Sequence, residues 1–475
     1  MKILILGAGR VGESVAESLV SERNDITVVD ADPARLRELQ DRLDLRGVVG
    51  NGIQPSVLRE AGAEDSDMLI ACAPLDETNL VVCKIAREVF GVPTAIARLR
   101  SPEFEDGHDL LGKSGFAVDH VIHPEQSVTT YIRKLIEYPE ALQVLEFAGG
   151  LVSLIAVRAV AGGPLVQHPL ADIPQLVPGV EMRIVAIYRQ DQALPGIGGH
   201  TAVQAGDEIF VLAATEHIRT VLGALRKMDR PVRRLMIAGG GRIGLRLARE
   251  LRDRYQVKLI EESQRRCEYL AAELPADVLV LHGDSTDEDL LQAENVQDMD
   301  LFVAMTSDDE DNIMSSLLAK RLGVRRVLAL INRRAYAELV QGTQIDIAIA
   351  PAHAVVSELL AFVRRGDVES VHSLRRGAAE ALEGIVRGDA KTSRMVGRRI
   401  DEIDLPEGAH IGALVRGLHL EDGSEVEPEF AKPRVLIAHH DTVVQPNDHV
   451  IVFVPRKRLV RQVEKLFQVS ATFMF

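Results

Sequence analysis

Lys2-Ile3-Leu4-Ile5-Leu6-Gly7-Ala8-Gly9-Arg10-Val11-Gly12 opens the chain, and Ile26-Thr27-Val28-Val29-Asp30 follows it. The first five residues are an apolar run of strand length. The next six match G-x-G-x-x-G. An amphipathic helix pattern then places Val11, Val15, Leu19 and Val20 on one side, and a second apolar run ends at Asp30. Gly7 makes the tight turn out of the strand, Gly9 lets the backbone approach a pyrophosphate, and Gly12 allows close packing of helix on sheet. The helix N-terminus offers unpaired N–H groups and a positive dipole end to phosphates. Asp30 stands where a carboxylate can accept both ribose hydroxyls. A lone glycine fingerprint is weak, but here strand, helix, second strand and acid all fall in place, which points to a nucleotide site. The alternative is a turn that only packs a helix.

The same plan restarts in the second half. Arg234-Leu235-Met236-Ile237-Ala238 leads into Gly239-Gly240-Gly241-Arg242-Ile243-Gly244, and Val257-Lys258-Leu259-Ile260 ends at Glu261. The correspondence continues past the fingerprint. Val48-Val49-Gly50-Asn51-Gly52 answers Val280-Leu281-His282-Gly283-Asp284, and Asp76-Glu77-Thr78-Asn79 answers Asp309-Glu310-Asp311-Asn312. Short apolar runs alternating with helical patterns predict a parallel, doubly wound sheet in each unit, with ligands at the carboxyl ends of its strands. Helix patterns Glu125 to Ile136 and Ala352 to Val363 follow the sheets, each just after a proline. They have no sheet face left to cover and read as arms that pair two sheet domains.

Smaller modules come next. Runs Val152–Val157, Ile184–Tyr188 and Glu208–Leu212 precede a helix pattern from His217 to Leu225. Residues 367–468 repeat this plan, with Val444-Gln445-Pro446-Asn447-Asp448 answering Val203-Gln204-Ala205-Gly206-Asp207. The fold class is therefore α/β: tandem Rossmann-like doubly wound parallel sheets, each followed by a small α+β domain. The expected domains are 1–141, 142–225, 230–366 and 367–468, with linkers near Tyr138-Pro139, Arg226 to Arg233 and Gly366-Asp367. The tail Val469 to Phe475 is expected to fray.

Composition narrows the function. A chain of 475 residues holds several domains. Its net charge of −15 argues against nucleic acid as a main partner, because phosphate neutralisation needs a basic face. Cys72, Cys83 and Cys267 have no C-x-x-C spacing, which suggests a reducing compartment and buried small side chains. No signal peptide and no apolar run near the roughly 18 residues of a membrane span is visible, so the chain reads as soluble and cytoplasmic.

At the first site, the backbone N–H groups of Gly9, Arg10 and Val11 are placed to face phosphate, and Asp30 to take the ribose. Asn51 and Gly52 border the adenine, and Ala73 and Pro74 line the floor. Arg98 and Arg100, after the fifth strand, can reach a terminal phosphate through their guanidinium forks, or can be surface charges. At the second site Asp284 replaces Asn51, and Thr306-Ser307 replace Ala73-Pro74. Leu330 and Asn332 take the places of the two arginines, so this site is expected to hold a polyphosphate end less well, unless Arg242 reaches it. An acid at the second strand end favours NAD over NADP. No catalytic set accompanies either fingerprint. His123 and His200 sit beside turn residues. His439-His440 lacks the two to four convergent ligands of a metal site, so no metal is expected. Asp308 to Asp311 suit the N-terminus of the next helix.

These residues together resemble the TrkA family, the peripheral regulatory subunits of bacterial Trk potassium-uptake systems, over essentially the whole length. The specific segments include the opening strand and loop, Asp76-Glu77-Thr78-Asn79, Ile96-Ala97-Arg98-Leu99-Arg100-Ser101-Pro102 and Leu135-Ile136-Glu137-Tyr138-Pro139. Arg333-Arg334-Ala335-Tyr336 and Ser373-Leu374-Arg375-Arg376-Gly377 carry it in the second half. The resemblance implies two RCK (or KTN) domains, each followed by a TrkA-C domain. It implies a homotetrameric ring under a membrane-embedded Trk potassium transporter subunit, on the cytoplasmic face of the inner membrane. It also implies binding of NAD(H) and of ATP/ADP, with contacts at Gly7, Ala8, Gly9, Arg10, Val11, Asp30, Ala73, Pro74 and Arg98. The corresponding second-site positions are Gly239, Gly240, Gly241, Arg242, Ile243 and Glu261, with Asp284 and Thr306 beside them. The expected role is regulation, not catalysis; the alternative is an NAD-dependent oxidoreductase, which needs an acid/base beside the nicotinamide.

Overall fold

The computed structural model describes residues 1–20, 24–104, 108–228, 230–340, 344–363, 368–375, 378–418 and 433–469. Gly366-Asp367, Arg376-Gly377, Asp229 of the middle linker and 470–475 of the tail lie outside the described residues.

The first sheet is built from β1 (Lys2–Leu6), β2 (Asp25–Asp30), β3 (Arg46–Val49), β4 (Met68–Ala71), β5 (Thr94–Arg98) and β6 (His120–Ile122). Between and after them run α1 (Arg10–Val20), α2 (Pro33–Arg42), α3 (Pro55–Glu60), α4 (Asp76–Phe90), α5 (His108–Leu111) and α6 (Pro124–Glu137). All six strands are parallel, in the order β3-β2-β1-β4-β5-β6. Ile3, Leu4, Ile5 and Leu6 are all buried, as expected of a strand with helices on both faces of its sheet. Asp32 caps α2 by accepting from the Ala34 N–H, and Pro33 starts the helix with its φ already set.

The first small module holds β7 (Ala141–Phe147), β8 (Val152–Arg158), α7 (Ile173–Leu176), β9 (Met182–Arg189), β10 (Gln192–Ala193), β11 (Glu208–Ala214) and α8 (Ile218–Leu225). Its antiparallel order is β10-β9-β11-β8-β7. Two of these strands, β7 and the two-residue β10, have no counterpart among the runs read from the sequence.

The second large sheet repeats the first. It contains β12 (Arg234–Ala238), β13 (Gln256–Glu261), β14 (Leu279–His282), β15 (Leu301–Ala304), β16 (Arg326–Leu330) and β17 (Ile347–Ile349). Its helices are α9 (Arg242–Leu251), α10 (Gln264–Glu273), α11 (Glu288–Ala293), α12 (Asp309–Arg321), α13 (Arg334–Leu339) and α14 (Pro351–Val363). The order β14-β13-β12-β15-β16-β17 is again fully parallel. The second small module has β18 (Val368–Leu374), β19 (Ala379–Ile385), β20 (His410–Arg416), β21 (Arg434–Ile437), β22 (His449–Val454) and α15 (Val460–Glu464). Its order β18-β19-β22-β20-β21 is that of the first small module read from the other edge.

Along the chain the modules alternate, but in space like groups with like. One unit takes residues 1–133 and 232–359, the other 134–231 and the chain from 360 onward. In the first unit α6 meets α14, where the Ser127 hydroxyl donates to Glu358 at 2.7 Å. The two helices thus join the sheet domains, as read from their lack of a sheet face. In the second unit one core takes Phe147, Leu154 and Phe210 from the first small module and Leu374, Ala381, Ile451 and Phe453 from the second.

Candidate functional site

Each parallel sheet ends its strands on a glycine loop. Gly7 sits at φ +100°, and a Cβ there would lie 2.9 Å from the Cys72 carbonyl oxygen. Its counterpart Gly239 sits at φ +108°, with the Met305 carbonyl oxygen 2.8 Å away. Both turns bring β1 or β12 against the end of the neighbouring strand with no room for a side chain. Gly12 seats α1, since a Cβ there would come within 1.9 Å of the Gly7 carbonyl oxygen. Gly9 is different: a Cβ would meet nothing within 4 Å, and the same holds at Gly241. The helix N-termini therefore face open space with the first-turn N–H groups of Arg10-Val11 and Arg242-Ile243 above the loop, which fits a pyrophosphate.

The acids at the second strand ends hold these loops. Asp30 accepts from the Ala8 N–H at 2.6 Å with one oxygen and from the Asp32 N–H at 2.8 Å with the other. Glu261 repeats this, accepting from the Gly240 and Ser263 N–H groups, each at 2.9 Å. Each carboxylate oxygen keeps a second lone pair for a ribose hydroxyl. The acid thus positions the loop, a role that the strand-end reading did not contain. At the second site Arg266 donates from Nε to the Gly240 carbonyl at 2.8 Å, and its guanidinium lies 4.7 Å from the Tyr269 ring.

The third-strand positions are less alike. Asn51 is exposed and accepts from the Ile53 N–H at 3.2 Å, an Asx turn. Gly52 is buried, and a Cβ there would strike the Leu6 side chain. Asp284 accepts from both the N–H and the hydroxyl of Thr286, at 2.8 and 2.7 Å.

The floor is organised by a residue quoted in the sequence only as part of the repeat. The buried Asn79 accepts from the Ala73 N–H at 2.8 Å and donates to the Ala73 and Arg98 carbonyls at 3.0 and 2.8 Å. Asn312 does the same for Thr306 and Leu330. Asp76 accepts from the Arg100 and Ser101 N–H groups, and Asp309 from those of Asn332 and Arg333. The signal for these roles was the matched D-x-x-N spacing itself. Asp308 caps α12, accepting from the Asp311 N–H at 3.1 Å.

Arg98 is the last residue of β5, inside the strand and not after it, and Arg100 lies two residues beyond at the same end of the sheet. Their Nε atoms are buried without a hydrogen-bond partner, as is Oε2 of Glu125 on α6. Arg100 Nε lies 4.0 Å from Glu125 Oε1, an ion pair too long for a hydrogen bond. Burial and the neighbouring Arg100 push the Arg98 guanidinium below its ordinary pKa. Two half-buried cations with unclaimed donors suit an anion. Arg242, at the start of α9, has its Nη1 4.0 Å from the same Glu125 oxygen. Glu125 joins the arginines of both repeats, a contact no local pattern announced.

Other candidates stand apart. His123 Nδ1 lies 3.1 Å from the Leu99 carbonyl, His439 and His440 are exposed, and among the described residues no group of three acids, histidines or cysteines gathers as a metal needs. Cys72 and Cys83 are buried, and burial pushes the Cys72 thiol up to about 12, which leaves it an inert thiol. Cys267 is half-buried, its Sγ 3.3 Å from the Glu261 carbonyl.

Two glycine-loop clefts on two sheets of one topology, each sheet followed by a small antiparallel module, define a tandem RCK-type protein. The TrkA-N domain family matches residues 3–124 and 235–351, and the TrkA-C domain family matches 154–226. The "Trk system potassium uptake protein TrkA" of Halomonas elongata is 52% identical over 473 residues, covering all of both chains. That of Vibrio alginolyticus is 49% identical over 475 residues, again with full coverage. Among solved structures, the GsuK channel aligns with a TM-score of 0.60 at 17% identity, over 98% of this chain and 78% of that one. The GsuK RCK domain gives 0.59 at 17% identity, over 98% and 94%. The chain belongs to the TrkA family, a family of potassium-uptake regulatory proteins and not of enzymes.

Proposed function

We propose that this chain is the nucleotide-sensing, non-catalytic subunit of a Trk-type potassium uptake system. It binds NAD(H) and ATP/ADP in the clefts of its two sheets and gates flux through a membrane-embedded transporter subunit. It works as a homotetramer, peripheral on the cytoplasmic face of the inner membrane. The observation that carries this reading is the first cleft: a loop pinned by Asp30, open space over Gly9, and the unclaimed Nε donors of Arg98 and Arg100. A relative of the same fold, the GsuK channel, has been solved bound to NAD. A ligand gates only by binding one conformation better than another. The cleft borders α6, and α6 joins the other sheet domain, so closure on a phosphate is felt by both repeats.

The test is calorimetry of NADH, ATP and ADP against the full chain, with the oligomer mass measured in each state. Potassium flux through vesicles holding the transporter subunit is then followed with and without the chain and each nucleotide. Saturable binding together with nucleotide-dependent flux is the expected result. Binding without any effect on flux overturns the gating role, and no binding overturns the site.

A further inference from the structure

The two small modules share one topology and so act as controls for each other. They differ in one surface. Lys457–Leu459 and α15 occupy the place of Thr215–His217 and α8. Across this element Arg456, Lys457, Arg458, Arg461 and Lys465 stand against one acid, Glu464, which is buried. The matching stretch Ala214 to Gly223 carries only Arg219 and Glu216 as charged groups at neutral pH. Arg458, Arg461 and Lys465 are exposed at i, i+3 and i+7, one stripe of a helical surface. Val460, Val463, Leu466 and Phe467 are buried on the other side.

A second stretch adds to it. Arg387, Lys391, Arg394, Arg398 and Arg399 stand against Asp389, where the corresponding Val160 to Pro169 has no Lys, Arg, Asp or Glu. The correspondence is fixed by paired bridges, Pro169 to Ala202 and Arg399 to Val443, each leading into a 3-10 turn. Lys391, Arg394, Arg398 and Arg399 are exposed, with Arg399 paired to Asp401. The chain just past α15 runs beside the start of this second stretch: a Cβ on Gly384 would strike the Phe467 ring, and one on Gly388 would lie 3.4 Å from Val469. So within the stretches 387–399 and 456–465 ten basic residues stand against two acids, with Asp401, Glu402 and Asp441 beside Arg399 at one end, and the corresponding stretches of the other module lack this excess.

We infer that this basic face of the second small module docks the protein onto the anionic phospholipid surface of the membrane. The inference rests on the cytoplasmic, membrane-peripheral reading above. Among the described residues no helix is long and apolar enough to cross a membrane, so any membrane contact through them is peripheral. Cytoplasmic loops of membrane proteins carry excess Lys and Arg, which repels a face of this kind. The inner leaflet is negative and attracts it, each basic residue near the surface adding to the binding. The acidic remainder of the chain is repelled by the same surface, which orients the docking.

Flotation of the full chain with vesicles tests this. Phosphatidylcholine vesicles are compared with vesicles containing about one third phosphatidylglycerol, at low salt and at 0.5 M salt. The chain is expected to float only with the anionic vesicles and to be released by salt, as screening requires. Arg456→Glu, Arg458→Glu and Lys465→Glu combined are expected to weaken that binding at least tenfold. Glu216→Gln and Arg219→Gln on the first module are expected to leave it unchanged. Nucleotide affinity and thermal midpoint, measured on the same triple variant, separate this from a folding defect and from failure of the nucleotide reading. Binding to poly-glutamate beads but not to vesicles assigns the face to an acidic protein and overturns the inference. So does equal binding to both vesicle types, no binding, or a triple variant that floats like the parent.

Discussion

Asp30 holds two backbone N–H groups and still has lone pairs turned to the cleft. Removing it takes away a charged acceptor from any adenosine ligand, and a hydrogen bond to such a group contributes about 1.5–3 kcal/mol. Asp30→Ala is expected to weaken NADH and ATP by that amount in calorimetry of the full chain, while the Ala8 loop loosens. Unchanged affinities place the ligand elsewhere. Arg98 and Arg100 make a sharper case. The second repeat has Leu330 and Asn332 in their places, and Asn332 already donates to Asp309 at 2.9 Å. The first cleft is therefore expected to separate ATP from ADP by about tenfold to a hundredfold, the value of one charge-assisted phosphate contact. In Arg98→Ala plus Arg100→Ala that preference should vanish, with NADH binding less affected; a full chain that still prefers ATP to the same degree refutes the assignment. The positions of Arg98 and Arg100 were legible because they stand at and just past a strand end in a matched repeat. Glu125 was not: its partners Arg100 and Arg242 lie 4.0 Å away through folding alone.

At the scale of the strand–loop–helix element, two glycines three residues apart should respond in opposite ways. Gly12→Ala drives a methyl to within 1.9 Å of the Gly7 carbonyl oxygen, a backbone atom that cannot step aside. It should lower the thermal midpoint and unseat α1. Gly9→Ala meets nothing within 4 Å, so the fold should keep its midpoint while nucleotide affinity falls, because the methyl occupies the phosphate's approach. If Gly9→Ala binds NADH as tightly as the parent, the space above it is not the ligand's. The glycine spacing made the helix seat at Gly12 readable, as the alternation of strands and helices did the parallel sheets. The arms were readable too, because α6 and α14 begin at Pro124 and Pro351 with no sheet left to cover. Strand β7 was harder. Its alternation in Ala-Leu-Gln-Val-Leu-Glu-Phe is broken by a register shift near Gln143, so no clean period of two marks it.

For the whole molecule, the grouping of like modules could not be read from chain order, because it is made by contacts far apart in sequence. Glu383 on β19 shows how. Its carboxylate accepts from His449 Nδ1 at 2.7 Å, from Ser370 Oγ at 3.0 Å and from the Ala148 N–H of the other small module at 2.9 Å. Burial raises the cost of its charge, yet these partners outweigh that and hold its pKa below the ordinary 4.5. A depressed carboxyl stabilises the folded state above its unfolded pKa, and that contribution is lost as pH falls through the folded value. Acid should therefore loosen the joined small modules below about pH 4.5, while the Glu383 carboxylate is fully ionised at neutral pH. Glu383→Ala leaves His449, Ser370 and the Ala148 N–H without their acceptor in a core shared by both modules. The expected loss is about 3–5 kcal/mol, the range for breaking a buried pair. In a urea titration followed by tryptophan-free near-UV signals, the variant's transition should move to lower urea. Below pH 4.5 the gap between variant and parent should narrow, since the parent then loses the same charge. A gap that stays constant from pH 7 to pH 4 would mean that packing, and not the carboxylate, joins the two modules at this point.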